Sequence, residues 1–402
     1  NAAFEFGKLF CDKKCGIEGL HVSASFRMDA KSSILESLAQ GLSFTSDTDN
    51  TEYQQGSLTR IKLSRFDLDR ESIDMLCSYI IHNKEASIKY VDLRRNTILM
   101  KADLFGEAMF GPNSCLETIA LGKRESFFED IGDYSFFSML EYNSVLDTLL
   151  LIDLGHFPVA RAAELASVLC RNTTIQELHI ECNDMDEDAL LALAPIFRHN
   201  TSLERFSLQG NHIGDLETIG FASALCDNSA GTHLIHLALD DNEIGDSGAE
   251  ALSAVLLECK TIKTLCLSHN EIGDYGATCI AKAIAKSDTI EELSIDNNSI
   301  SANGHKVLVQ SLYRNISLKQ VNLGLEVVDE DDLIVSKMKE EVDECIRLNK
   351  IANEMMKHPR DVESSSPALF REKLSELAQN KNHISKVFAV MRERVEIVIH
   401  HS

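Results

Sequence analysis

Glu177, His179 and Glu181 alternate along ELHIE, so an extended backbone sets an imidazole between two carboxylates on one face. Such a set could relay a proton or offer ligands to a divalent metal. The rest of the sequence gives that chemistry no support. It has no phosphate loop, nucleophile elbow, H-E-x-x-H helix or paired C-x-x-C. Cys11 and Cys15 form a single C-x-x-x-C with no second pair to complete a zinc site. Alternate polar positions on a half-buried strand produce neighbours like these routinely. No catalytic residue, metal site or cofactor is therefore assigned, and the chain reads as a non-enzyme.

The elements that carry the triplet recur. LDDNEIGDSGAEAL at 239–252 returns 28 residues later as LSHNEIGDYGATCI and again as IDNNSISANGHKVL. The unit is L-x-x-L-x-L-x-x-N-x-I-x-x-x-G followed by an apolar helical stretch. Copies begin at Ile175, Leu203, Leu234, Ile262, Ile290 and Leu318, and looser ones at Leu58, Ile88, Leu116 and Leu146. A first copy starts at Ile17. The alternating L-x-L predicts a short strand with every second side chain buried. The Asn that follows (Asn183, Asn211, Asn242, Asn270, Asn298) can bond loop backbone that would otherwise be buried unpaired. Gly248, Gly276 and Gly304 allow a loop to pass close to the next helix. AEALSAVLLE, ATCIAKAIAK and HKVLVQSLYR carry apolar residues at helical spacing. One strand and one helix cannot bury their apolar faces alone, but stacked neighbours can.

In these features the chain resembles leucine-rich repeat proteins of the ribonuclease-inhibitor-like subfamily. The motif is regular from Ile175 to Leu323 and looser upstream, where Phe66, Arg124 and Leu154 replace the turn Asn. The resemblance implies an α/β solenoid: a horseshoe with a parallel sheet on its concave face, helices on its convex face and protein binding as its use. It divides the chain into 1–57, the first repeat with the polar insertion SFTSDTDNTEYQQGS; 58–325, the solenoid; and 326–402, a helical region. In that last region Ile334, Met338, Val342 and Ile346 would form the apolar stripe of a helix capping the last repeat.

In such a fold the strand residues between the buried ones face a partner. The first strands offer Arg60, Lys62, Arg65, Tyr90, Arg94 and Arg95, the middle Leu150 and Ile152, then Glu177 and Glu181, and the last Asp240, Asp241 and Asp296. A basic end, an apolar centre and an acidic end would orient a protein and give it an anchor. The expected function is thus a non-catalytic scaffold or adaptor that binds one or more proteins. Other readings are a structural subunit of a larger assembly, an inhibitor of a basic enzyme, or a regulator like the Ran GTPase-activating proteins, which share these repeats. In that last case Arg94, Arg95 or Asn96 would touch the GTPase.

A net charge of -24 repels phosphate backbones and argues against nucleic acid. No apolar run reaches the ~18 residues of a membrane span. Eleven scattered cysteines suit a reducing, intracellular compartment. A cytoplasmic site is expected, with organellar targeting by a removed segment left open. Cys170, Cys226 and Cys259 read as small buried hydrophobes. The triplets RNTT, HNTS and RNIS fall at one repeat phase, where a helix ends, and read as repeat grammar rather than glycosylation sites.

Overall fold

The computed structural model describes residues 19–28, 59–68, 70–82, 88–98, 101–112, 114–122, 127–128, 135–227, 233–325 and 333–357. The chain divides into two compact units, one of residues 1–211 with 228–233, the other of 212–227 with 234–402.

In the first unit the strands are β1 (Gly19–Met28), β2 (Arg60–Leu68), β3 (Tyr90–Asp92), β4 (Thr97–Ile98), β5 (Thr118–Leu121), β6 (Thr148–Ile152), β7 (Glu177–Glu181) and β8 (Arg205–Ser207). All pair in parallel, in the order β1-β2-β3-β5-β6-β7-β8, with β4 beside the end of β2. The intervening helices are α1 (Arg70–His82), α2 (Ala102–Phe110), α3 (Val159–Leu169), α4 (Glu187–Leu191) and α5 (Ala194–His199). Parallel pairing needs a crossover between strands; α-helices supply it after β2, β4, β6 and β7, and between β5 and β6 the described residues hold only the 3-10 turn Ser138–Glu141.

The register makes the buried rows continuous. Ile61, Val91, Ile119, Leu149, Leu178 and Phe206 stand side by side, each at most 3% exposed. On β6 and β7 burial alternates residue by residue, so the polar or half-buried positions share the opposite, open face. Aromatic rings cluster in the core of this unit. Phe110 meets Phe136 edge-on at 5.2 Å, and Phe128 meets Phe157 at 4.7 Å. Leu154 stands in place of a turn Asn, is fully buried, and its N–H donates to Asn183 of the following repeat at 2.9 Å. Arg124, the polar insertion and the segment after Lys357 lie outside the described residues, as does the side chain of Phe66.

In the second unit β9 (His236–Ala238), β10 (Thr264–Cys266), β11 (Glu292–Ser294) and β12 (Gln320–Asn322) pair in parallel. The helices are α6 (Asp215–Cys226), α7 (Asp246–Glu258), α8 (Asp274–Ile284), α9 (Ala302–Leu312) and α10 (Leu333–Lys357).

Three sets of side chains tie repeat to repeat. The turn amides donate backwards: Asn183 to Leu151 O at 3.0 Å, Asn270 to Leu239 O at 2.9 Å, Asn298 to Leu267 O at 2.9 Å. Their oxygens accept a backbone N–H from the preceding repeat, Ile244 for Asn270 and Ile272 for Asn298, both at 3.0 Å. A second set sits where helices end. Asn143, Asn172, Asn200 and Asn315 are buried and donate to Phe110 O, Leu140 O, Leu169 O and Ile284 O. Three of these are the Asn residues of RNTT, HNTS and RNIS. A third set joins helix starts. The Asp215 carboxylate accepts from the N–H groups of Gly245 and Gly248, and Asp246 from those of Gly273 and Gly276, at 2.7–2.8 Å.

The last helix departs from its expected stripe. Ile334 is 64% exposed, while Cys345, Leu348, Asn349 and Ala352 are fully buried and Val342 nearly so. Asn349 donates to Leu318 O at 2.8 Å and Asn353 to Ile316 O at 2.9 Å. The helix is turned so that these amides meet carbonyls of the last repeat, and that rotation carries Ile334 outward. The cysteine expectation also needs correction: Cys259 is buried, but Cys170 and Cys226 are only partly so.

Candidate functional site: the open strand face

Parallel register fixes which side chains share the open face. In the first unit one row runs Arg60, Tyr90, Thr118, Thr148, Glu177, Arg205, and the next Lys62, Asp92, Ala120, Leu150, His179, Ser207. Ile152 pairs with Glu181 one step further along.

At the basic end the structure adds a residue that its lone acidic position did not announce. Asp92 is 1% exposed and sits among the predicted cations. Arg94 embraces it with two nitrogens at 2.9 and 3.0 Å, and Lys62 Nζ lies 3.2 Å away. Burial works against the Asp92 charge, but the bonds from Arg94 and Lys62 outweigh it and hold the carboxyl below its usual range. Two of the expected free cations are thus tethered inward. Arg60 lies over the Tyr90 ring at 4.8 Å. Arg95 is exposed in a left-handed conformation, φ 65°. Arg65 lies in β2 with its side chain outside the described residues. Asn96 is 3% exposed and donates to Leu63 O and Leu93 O, so it belongs to the turn ladder.

The centre is apolar. Ala120 and Leu150 are adjacent, and Leu150 and Ile152 are half-buried. Beyond them His179 bridges Glu177 through Nε2 at 2.8 Å and Glu181 through Nδ1 at 2.6 Å. Arg205 reaches Glu177 at 3.3 Å. Burial opposes the histidine's charge, yet the two carboxylates outweigh it and raise its pKa; both glutamates are lowered in turn. Among the described residues no group of three or more His, Cys, Asp or Glu side chains is arranged to hold a metal.

In the second unit the acidic positions are bound up in a network. Asp240 accepts from Ser268 N–H at 2.8 Å, and burial raises its pKa despite that bond. Asp296 accepts from the hydroxyls of Ser268 and Ser294 and from Asn322 at 2.8 Å. Asp241 is exposed, left-handed at φ 54°, with His269 Nδ1 3.9 Å away. The residues before the turn Asn recur in this conformation: Arg95, Cys182, Asp241, His269 and Asn297 all have φ between 53° and 65°.

Comparison with known proteins places these features. The family described as Leucine Rich repeat matches residues 171–194, 199–216, 232–253 and 258–281. The mouse (Mus musculus) "NACHT, LRR and PYD domains-containing protein 12" is 25% identical over 197 residues, which are 49% of this chain and 18% of that protein. The chain therefore spans under a fifth of that relative's length. Among solved structures, Leiomodin-1 Actin-Binding Site 2 is 14% identical, covering 52% of this chain and 95% of that one, with a TM-score of 0.32. The tropomodulin C-terminal domain of Caenorhabditis elegans is 13% identical, covering 48% and 93%, also with a TM-score of 0.32.

Proposed function

We propose that this leucine-rich repeat protein is a non-catalytic scaffold or adaptor that binds a protein partner on the open strand face of its first unit. Leucine-rich repeats generally mediate protein–protein interaction, and this chain's repeats include the regular ones at 171–281. The observation that carries the reading is the order of side chains across that face. Arg60 on Tyr90 and the Lys62–Asp92–Arg94 cluster lie on one side, Leu150 and Ile152 in the middle, and Glu177, His179 and Glu181 on the other. Half-exposed aliphatic side chains flanked by opposite charges suit a partner that buries an apolar anchor and is oriented by its own charge pattern. The polar residues are already paired with one another. They present a fixed surface and have less ordering entropy to lose on association.

The test is co-purification with quantitative mass spectrometry. Wild type is compared with Leu150→Asp/Ile152→Asp and with Arg60→Glu/Arg95→Glu. Selective loss of a common partner from the first variant, with partial loss from the second that grows with salt, is the expected result. Full retention of every partner by both variants would sink the proposal. The second unit's acidic network, centred on Ser268 and Asp296, is proposed as a further contact, tested in the same way with Asp241→Lys/Asp296→Asn.

A further inference from the structure

The second unit carries a groove of about 830 Å³ between α9 and the first turns of α10. Its apolar lining is Val309, Met338 and Ile334, the last standing 64% exposed. Its cations are Lys306, Arg314 and Lys337, all three exposed and none ion-paired among the described residues. Its carboxylate, Glu341, accepts a hydrogen bond from the Tyr313 hydroxyl at 2.8 Å. In a chain of net charge -24 this concentrates positive charge around an apolar floor.

We propose that this groove is a second docking site, separate from the strand face, and that its occupant is an acidic amphipathic helix of a partner protein. A groove lined by two helices can receive a third, apolar side inward. Ile334 and Met338 meet its apolar stripe above the buried Val309, and Lys306, Arg314 and Lys337 meet carboxylates on its flanks. A basic helix is disfavoured by the same three side chains.

The test uses the full chain and a fluorescein-labelled helical peptide of about 16 residues, with Leu at helical spacing on one face and Glu on its flanks. A matched peptide with Lys in place of Glu is the control. Fluorescence anisotropy should show the Glu peptide binding and the Lys peptide failing. Lys306→Glu/Arg314→Glu/Lys337→Glu and, separately, Ile334→Ser should each weaken binding about tenfold or more. All four side chains are exposed, so circular dichroism should match wild type. Absence of binding to wild type, equal binding of both peptides, or indifference to both variants would overturn the proposal. A third variant neutralises the carboxylates of Glu326, Asp329, Glu330, Asp331 and Asp332. If it bound the Glu peptide about tenfold more tightly, the groove would be filled by the chain's own acidic run, and the partner proposal would fall.

Discussion

Single side chains hold much of this fold because each repeat turns backbone groups inward that no helix or strand can satisfy. Asn200 shows the arithmetic. Its oxygen accepts from the N–H groups of Ser202 and Leu203 at 3.0 and 2.7 Å, and its amide donates to Leu169 O at 2.6 Å. Asn200→Ala would strand these buried groups and should cost about 2–4 kcal/mol in urea unfolding, since each unsatisfied buried group costs roughly 1–3 kcal/mol. Asn297, exposed at a turn but left-handed at φ 53°, should lose about 1 kcal/mol on the same change, because alanine tolerates that backbone less well than asparagine. His179 gives a pH signature. Its folded pKa is raised, so its contribution is fully present below the unfolded value of about 6.5 and fades as pH rises through the folded one. Glu177 and Glu181 are lowered, so theirs is present at higher pH and fades as pH falls through their folded values. The cluster is strongest between those limits. The difference in thermal midpoint between wild type and His179→Gln should peak near about pH 5–6 and shrink toward about pH 8. A difference independent of pH would show that the ion pairs contribute nothing.

Helix starts supply the next scale. Glycine inside a helix ordinarily gains about 1 kcal/mol on replacement by alanine. At Gly276 an added Cβ would lie 2.8 Å from Asp246 Oδ1 and 2.9 Å from both Ala249 Cβ and Ile272 Cγ2. Gly276→Ala should therefore reverse the usual sign and destabilise by about 1–3 kcal/mol, measured by calorimetry or denaturant. The strand–helix alternation, the turn Asn and the close-packed Gly were all legible in L-x-x-L-x-L-x-x-N-x-I-x-x-x-G, because each holds a fixed place in that pattern. Asp215 and Asp246 were not read. Their donors lie 27 to 33 positions away and become neighbours only when repeats stack, although G-D-x-G recurs in plain view at 245–248 and 273–276. The stripe on α10 was misplaced for a related reason. Apolar spacing marked Ile334 and Ile346, but Asn349 and Asn353 choose the face by meeting carbonyls of the last repeat. The site was legible as a list of face positions and not as a charge map. Asp92, buried between Lys62 and Arg94, converts what read as a free basic patch into a paired one.

Across the whole molecule the dominant quantity is the charge of -24. Self-repulsion of that size opposes the compact state and is screened by salt. The thermal midpoint should rise between about 20 and 200 mM NaCl, and a fall would mean that local pairs such as Lys89–Glu117 outweigh the net field.

The spacing of the ladders reaches beyond stability. Asp246 and Asp274 stand 28 positions apart, as do Asn242, Asn270 and Asn298, and each meets an equivalent socket in its neighbour. A genetic recombination that removes or duplicates one such block in frame leaves every carboxylate and amide facing a matching backbone group. A change of another length has to be taken up away from the ladder residues, as in the 31-residue repeat from Leu203 to Leu234, across which Asp215 still meets Gly245 and Gly248. In evolutionary terms the second unit grows or shrinks most simply in whole copies. Its inheritance is counted in repeats, while the residues on the open face remain free to diverge one at a time.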